Sequence, residues 1–185
     1  MRLINEVFQG VQSGDAEKLK KIFSVNGELV NEENKDGLTP LGFAAHFGRK
    51  EAVQVLLDFG ADINALSHSK IEYIPSNTAL HAAIAGERDM DVIKLLLSNG
   101  AKTVIFDSNG HTALHTAAYH ADNPELIKLL IDHGAEVNGR AAGGKTALEL
   151  AEEQMNEKAA GNSPAAFWPL KTISPLLQNN LPDRN

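Results

Sequence analysis

The stretch Gly110-His111-Thr112-Ala113-Leu114-His115-Thr116-Ala117-Ala118 decides the fold, because altered copies of it recur along the chain. Its Thr-x-Leu core is found at four places, which begin at Thr39, Thr78, Thr112 and Thr146. The intervals between successive threonines are 78−39 = 39, 112−78 = 34 and 146−112 = 34. A nearly constant period of this length is typical of a solenoid, in which each repeat buries its apolar face against the next.

A second motif, a leucine-rich run followed by Gly-Ala, repeats with the same period. It reads Val55-Leu56-Leu57 before Gly60-Ala61, Leu95-Leu96-Leu97 before Gly100-Ala101, and Leu129-Leu130 before Gly134-Ala135. With these two motifs the chain resembles the ankyrin repeat family, strongly over residues 34–155 and weakly at both ends. The resemblance implies an all-α, ankyrin-type helix-pair solenoid of about five units, including two capping units.

Residues at the expected helix ends favour the same fold. Each motif threonine precedes an Ala/Leu-rich run, where its hydroxyl is expected to accept a hydrogen bond from the helix start. Pro40 suits the first helical position, and Thr146 and Glu149 have the spacing of a capping box. Gly60, Gly100 and Gly134 follow the leucine runs, so we expect them to end the second helices in the left-handed conformation.

The repeats divide the chain into seven segments. We predict an N-terminal capping repeat at 1–33, repeats at 34–66, 78–107 and 108–140, an inserted finger loop at 67–77, a divergent C-terminal capping repeat at 141–179 with an insert at 156–169, and a tail at 180–185.

The finger is inferred from an uneven interval. The interval from Gly60 to Thr78 is 78−60 = 18, whereas the intervals from Gly100 to Thr112 and from Gly134 to Thr146 are both 12, so about six residues are inserted. Insertions in repeat proteins often form the binding face. A tolerated surface loop is the other interpretation, because lengthening a loop adds little closure entropy.

Composition excludes several classes of protein. The chain has 185 residues and a net charge of −7, with 17 Lys and Arg against 24 Asp and Glu, which disfavours nucleic acid as a partner. It has no cysteine, so it has no disulfide framework or thiolate metal site and suits a reducing compartment. No apolar run has the length of a signal peptide or a membrane span. We therefore expect a soluble, cytoplasmic monomer with no membrane partner.

The seven histidines do not indicate chemistry. His81 and His115 occupy the fourth place of the motif, where the resemblance implies a structural role in bonding backbone groups within and between repeats. His111, His115 and His120 have a spacing that could indicate a metal site. However, His111 precedes the residue that caps the helix, so it does not share a helix face with the other two. No Ser/His/Asp set or carboxylate pair stands out. We expect no metal, no cofactor and no catalysis.

The resemblance also places residues near the turns, and about seven positions after each motif threonine, on the concave side. The candidate partner-binding residues are Leu38, His46, Phe47, Leu66, Ile71, Tyr73, Phe106, His111, Tyr119, His120 and Arg140. An exposed apolar and aromatic strip of this kind is typical of protein recognition. The alternative for Phe47, Leu66 and Phe106 is that they pack between repeats. A small-ligand module is a weaker alternative, because it requires a closed pocket.

One segment favours an enzyme instead. Residues Gly139 to Thr146 match the phosphate-binding pattern G-x-x-x-x-G-K-[ST] letter for letter. A working phosphate loop follows a buried strand and opens a helix, and an acidic residue from another strand helps to hold magnesium. Residues 134–138 form a helix exit and turn, and the segment that follows Thr146 contains no apolar strand ending in Asp. We therefore interpret the match as a turn between repeats and keep nucleotide hydrolysis as the alternative.

Overall fold

The computed structural model describes residues 2–86, 90–120 and 123–160. The helices in these ranges are α1 (Arg2–Ser13), α2 (Ala16–Val25), a short 3₁₀ helix (Gly27–Asn31), α3 (Pro40–His46), α4 (Lys50–Asp58), α5 (Ala79–Ala85), α6 (Met90–Ser98), α7 (Ala113–His120), α8 (Pro124–Asp132) and α9 (Ala147–Ala160). The chain divides into two compact units, Met1–Lys102 and Thr103–Asn185.

In the first unit the helices form two rows. The first helices of successive pairs, α1, α3 and α5, pack side by side, and the second helices, α2, α4 and α6, do the same. Small residues such as Ala44 and Ala83 are buried in the first row and permit close approach. The leucines Leu19, Leu56 and Leu96 are completely buried in the second row. The second unit is built alike, with α7 packed against α8 and α9.

Glycines end the second helices as predicted. Gly60, Gly100 and Gly134 have φ angles of 85°, 92° and 86°, which a residue with a side chain rarely adopts. Each donates its N–H to a carbonyl in the last turn of its helix, Leu57, Leu97 and Ile131 respectively. The predicted helix ends are confirmed.

Only some of the motif threonines cap their helices with the hydroxyl. The Thr39 hydroxyl accepts from the Gly42 N–H at 3.1 Å, as predicted. The capping box at the last threonine is also present: the Glu149 carboxylate accepts from the Thr146 N–H at 2.7 Å, and the Thr146 hydroxyl accepts from the Glu149 N–H at 3.3 Å. The prediction was wrong for Thr78, whose hydroxyl makes no capping bond.

The residue in the fourth motif place also differs between these repeats. It is a glycine beside Thr39 and a histidine beside Thr78 and Thr112. The Thr78 hydroxyl lies 2.8 Å from the Nδ1 atom of His81, and the Thr112 hydroxyl lies 2.7 Å from the Nδ1 atom of His115. The imidazole therefore engages the hydroxyl in both of these repeats.

The last described helix is longer than expected. α9 runs to Ala160, so residues 156–160, the first part of the predicted insert, continue the helix. Glu157, Lys158, Ala159 and Ala160 are strong helix formers, and no glycine or proline interrupts them. The rest of that insert, the remainder of the predicted capping repeat to residue 179 and the tail at 180–185 lie outside the described residues. None of the helices in the described ranges is long and apolar enough to cross a membrane.

Candidate partner-binding site

Every described repeat turn is closed by the same backbone hydrogen bond, directly before its motif threonine. These bonds are Asn34 N–H to Leu38 O at 3.0 Å, Ser67 N–H to Asn77 O at 3.0 Å, Asp107 N–H to His111 O at 2.8 Å and Ala141 N–H to Lys145 O at 2.8 Å. The donor and acceptor residues are four positions apart in three of the turns (38−34, 111−107 and 145−141) and ten positions apart in the other (77−67). The six extra residues therefore lie within 67–77, which we call the finger.

Serine side chains fasten the base of the finger. The buried Ser67 accepts from the Asn77 N–H with its hydroxyl at 3.0 Å, in addition to the backbone bond between the same two residues. One step further along, the Ser76 hydroxyl accepts from the Ser69 N–H at 3.0 Å. The two sides of the finger are therefore joined at its base, and the ordinary repeat geometry resumes at Thr78.

The first side of the finger also lies on the preceding turn. The His68 N–H donates to Gly37 O at 2.9 Å, and the Lys70 N–H donates to Asp36 O at 2.9 Å. The approach at Gly37 is so close that a Cβ atom built there would lie 1.8 Å from the His68 carbonyl oxygen. Gly37 also has a φ of +76°, so both the space and the backbone conformation require glycine.

A carboxylate strengthens this attachment. Oε1 of Glu33 accepts from the His68 N–H at 2.9 Å and lies 2.9 Å from the His68 ring Nδ1. The Lys70 ammonium donates to the Lys35 carbonyl at 3.4 Å. Residues 67–70 are therefore held along the turn, which leaves the tip to project.

The tip of the finger carries an exposed aromatic side chain. Residues 71–74 form a turn in which the Ile74 N–H donates to Ile71 O at 3.0 Å. Tyr73 lies in this turn with 85% of its surface exposed, the largest exposed fraction among the large hydrophobic residues of the described chain. Ile71 and Ile74 are half-buried. Tyr73 adds little to the core, so its ring is available to a partner.

The other candidates in the first unit are a mixture of exposed and packed side chains. Leu66 is 42% exposed at the entry to the finger, and His46 is exposed, while Leu38 is half-buried. Phe47 is half-buried, and its ring centroid lies 4.7 Å from that of Phe43. Phe47 thus has an internal packing role beside any role in binding.

In the second unit Phe106 and Tyr119 are the exposed candidates, at 49% and 44%. His111 is half-buried, and its ring stacks on that of His115 at a centroid distance of 6.1 Å. The Arg140 guanidinium is exposed but folds back on its own turn: it donates to the Gly144 carbonyl and lies 3.5 Å from the Glu149 carboxylate. His120 ends α7, and its side chain lies outside the described part of the chain.

His115 is completely buried and has hydrogen-bond partners at both ring nitrogens. Its Nδ1 atom accepts from the Thr112 N–H at 3.3 Å, and its Nε2 atom lies 3.2 Å from the Lys145 carbonyl, which accepts its proton. Burial lowers the pKa of His115 below its usual value, and the bond to Lys145 opposes that shift only in part. A neutral imidazole with both nitrogens engaged has no lone pair free for a metal ion. Across the described residues, no group of three or more His, Asp or Glu side chains has the arrangement of a metal site.

Four backbone amides of the segment that matches a phosphate loop already donate to carbonyls of the protein. The four N–H groups of Gly139, Ala141, Ala142 and Gly144 donate to the carbonyls of Glu136, Lys145, Gly110 and Ala141. The Lys145 ammonium pairs with the Glu153 carboxylate, and the Glu149 carboxylate occupies the start of α9. These contacts belong to an ordinary repeat turn, and the anion site at the helix start already holds a carboxylate of the protein itself.

The residues that hold the finger were not found by sequence reasoning. Glu33, Asp36 and Ser76 have no motif, and their role depends on which backbone groups the folded chain brings to them. Gly37 precedes its motif threonine by two residues, as Gly110 and Gly144 do, and this spacing indicates a turn without indicating a contact with the finger. The uneven spacing before Thr78 was the one available signal, and it marks an insertion without indicating how the insertion is attached.

The stacked helix pairs and their closing turns define a helical repeat protein. A family model described as ankyrin repeats, in three copies, matches residues 7–107 and 87–160. The chain therefore belongs to the ankyrin repeat family, and the predicted all-α, ankyrin-type helix-pair fold is confirmed. Ankyrin repeats are generally modules for binding other proteins.

Several much longer proteins contain similar repeats. The chain is 42% identical to Rabankyrin-5 of Mus musculus over 74 residues, which is 40% of this chain and 6% of that protein. It is 33% identical to Inversin of Gallus gallus over 108 residues, or 58% of this chain and 9% of the relative. A match at 33% identity to the Neurogenic locus Notch protein of Drosophila melanogaster covers 52% of this chain and 3% of the relative. The chain thus spans less than a tenth of the length of these relatives.

Proposed function

We propose that this protein is a non-catalytic interaction scaffold that binds a partner protein through the finger and the adjoining concave repeat face. In this proposal residues 1–33 and 141–179 act as capping repeats, and residues 67–77 are an insertion acquired for binding. A chain without cysteine suits a reducing compartment, so we extend the proposal to a cytoplasmic location.

The observation that carries the proposal is the combination of a fixed base and an exposed tip in the finger. Residues 67–70 make backbone bonds to the preceding turn, while Tyr73 at the tip is 85% exposed. A loop that is already ordered loses less conformational entropy on binding, and tyrosine is enriched among the residues that dominate binding energy. These two properties favour the finger over a merely tolerated insertion.

The other exposed side chains extend the proposed surface. Leu66 adjoins the finger, and Phe106 and Tyr119 form a separate set in the second unit. Leu38, His46, Phe47, Ile71, His111, His120 and Arg140 complete the proposed contact set. Phe47, His111 and Arg140 are expected to contribute less than Tyr73, because their side chains also contact other groups within the fold.

The test compares Tyr73→Ala with Val25→Ala. Val25 is 80% exposed at the end of α2, so its replacement also removes an exposed apolar group, but one that belongs to a helix and not to the finger. Each variant is used as bait in host-cell extract, and captured proteins are quantified by mass spectrometry. A specific partner should be lost with Tyr73→Ala, by about 30-fold in affinity for a strong anchor residue, and retained with Val25→Ala.

A combined variant tests the wider surface. Replacing Phe47, Leu66, Tyr73, Tyr119 and Arg140 with alanine should abolish capture while the helical circular dichroism spectrum is retained. Unchanged capture by this folded variant would show that the surface is misassigned.

A further inference from the structure

The chain contains four Asn-Gly pairs, which are Asn26-Gly27, Asn99-Gly100, Asn109-Gly110 and Asn138-Gly139. In such a pair the backbone nitrogen of the glycine can attack the side-chain carbonyl carbon of the asparagine, because glycine has no side chain to obstruct the approach. The attack requires the glycine amide to be released from any hydrogen bond. The structure therefore ranks the four pairs by how their glycine amides are engaged.

Three of the glycine amides are engaged in turns. Gly100 N–H donates to Leu97 O at 3.1 Å, Gly110 N–H donates to Asp107 O at 3.0 Å, and Gly139 N–H donates to Glu136 O at 3.0 Å. The Asn99 side chain is held as well, because its amide donates to Leu95 O at 2.8 Å. Reaction at any of these pairs must first break a turn that belongs to the repeat framework.

The pair Asn26-Gly27 differs from the other three in the hydrogen bonding of its glycine amide. It lies at the junction between α2 and the 3₁₀ helix, where Gly27 is exposed and Asn26 is half-buried, and the Asn26 side chain makes no capping bond. The Gly27 N–H has no hydrogen bond to the described residues, and a Cβ atom at Gly27 would meet nothing within 4 Å. The bond from Leu29 N–H to Asn26 O, at 3.2 Å, is the contact that resists rotation of the peptide between the two residues.

We infer that Asn26 is a site of spontaneous covalent modification, at which the side-chain amide is converted through a cyclic imide to aspartate and isoaspartate. The Gly27 nitrogen forms a bond to Cγ of Asn26, the bond from Cγ to the side-chain nitrogen breaks, and ammonia leaves with the amide proton. Water then opens the ring at either carbonyl. The reaction needs no other reactant.

The products would alter the end of α2. Both carry a carboxylate at the C-terminal cap of the helix, where the partial negative charge of the helix end opposes it. Isoaspartate also adds a methylene group to the main chain between α2 and the 3₁₀ helix. An isoaspartate here is the substrate class of methyltransferases that use S-adenosylmethionine to esterify such carboxyls, so the site would allow enzymatic repair.

The experiment is to age the native protein at mildly alkaline pH and 37 °C in phosphate-free buffer and to map all four sites by peptide mass spectrometry. Loss of the amide should be fastest at Asn26, on the order of tenfold faster than at the other three sites, since each of those must break an amide hydrogen bond first. Gly27→Ala, which has room for its methyl group, should suppress the reaction and leave the circular dichroism spectrum unchanged.

A sample unfolded in urea provides the control, because all four pairs then lose their turns and should react at similar rates. Equal rates in the folded protein, or faster loss at Asn99, Asn109 or Asn138, would overturn the inference.

Discussion

The finger at 67–77 and the turn at 141–145 are closed by the same backbone hydrogen bond, but only the turn matches a known sequence motif. The second turn carries a complete phosphate-loop pattern, yet all of its described amide bonds and its lysine serve the repeat. The finger has no recognised motif, yet it holds the most exposed aromatic side chain of the described residues. A match of letters therefore indicates function only when the backbone around it has the geometry that the chemistry requires.

The largest effect should come from placing a side chain where the finger meets the preceding turn. Gly37→Ala puts a Cβ atom against the His68 carbonyl and should lower the free energy of unfolding by about 3 kcal/mol, in the range of strained backbone sites. Gly144→Ala has the same kind of positive φ but meets nothing within 4 Å, so it should cost only about 1 kcal/mol.

Denaturant titrations of both variants measure the difference. Equal losses would mean that the finger does not rest on the turn as described, because only that contact separates the two glycines.

Acidification should weaken the turn at 141–145 through His115. The pKa of His115 is lowered by burial, so below its ordinary value of 6.5 the unfolded chain binds a proton that the folded chain excludes. His115 therefore does not destabilise the fold above pH 6.5. The free energy of unfolding falls as the pH drops through 6.5 toward the lower pKa of the folded state. The bond from His115 to Lys145 O ties this loss to the turn.

Hydrogen exchange of the Ala141 and Ser67 amides, corrected for the intrinsic effect of pH, reports on the two turns separately. Between pH 7 and pH 5 the Ala141 amide should lose protection relative to the Ser67 amide. A variant with His115 replaced by glutamine should lack this pH dependence, and equal changes at both amides would contradict the assignment.

The smallest effects distinguish the two neighbouring residues of the phosphate-loop match. Thr146→Ala removes the hydroxyl of the capping box and should cost about 1 kcal/mol. Lys145→Ala removes one exposed ion pair to Glu153 and should change stability by less than about 0.5 kcal/mol. ATP with magnesium should not change the melting temperature of the unchanged protein or of either variant. A saturable increase in the unchanged protein that disappears in Lys145→Ala would show that the segment binds nucleotide.

Periodicity was enough to predict the helix pairs, because apolar spacing, glycine ends and the threonine motif are local signals. The hydrogen bonds of the Thr78 and Thr112 hydroxyls were harder to predict, because they depend on where the imidazole three residues away lies in the folded chain. The extension of α9 to Ala160 was missed because a polar, small-residue composition suggests a loop, although these residues favour helix.

The candidate site was predictable only in outline. The insertion followed from spacing, and the large apolar residues could be counted. The attachment of His68 and Lys70 to Gly37 and Asp36 could not be deduced, because these bonds join backbone groups that lie in different repeats and far apart in the sequence. No pattern of side chains in the sequence predicts backbone hydrogen bonds of this kind.

The central claim, that the finger binds the partner and is dispensable for the fold, is tested most directly by exchanging the two turns. Replacing residues 67–77 with the sequence of residues 141–145 removes the six extra residues and retains a segment that forms the same closing hydrogen bond. The measurement is capture of the Tyr73-dependent partner, with the helical circular dichroism signal recorded on the same sample. We predict an unchanged helical signal and complete loss of capture; full capture by the folded exchange variant would contradict the claim.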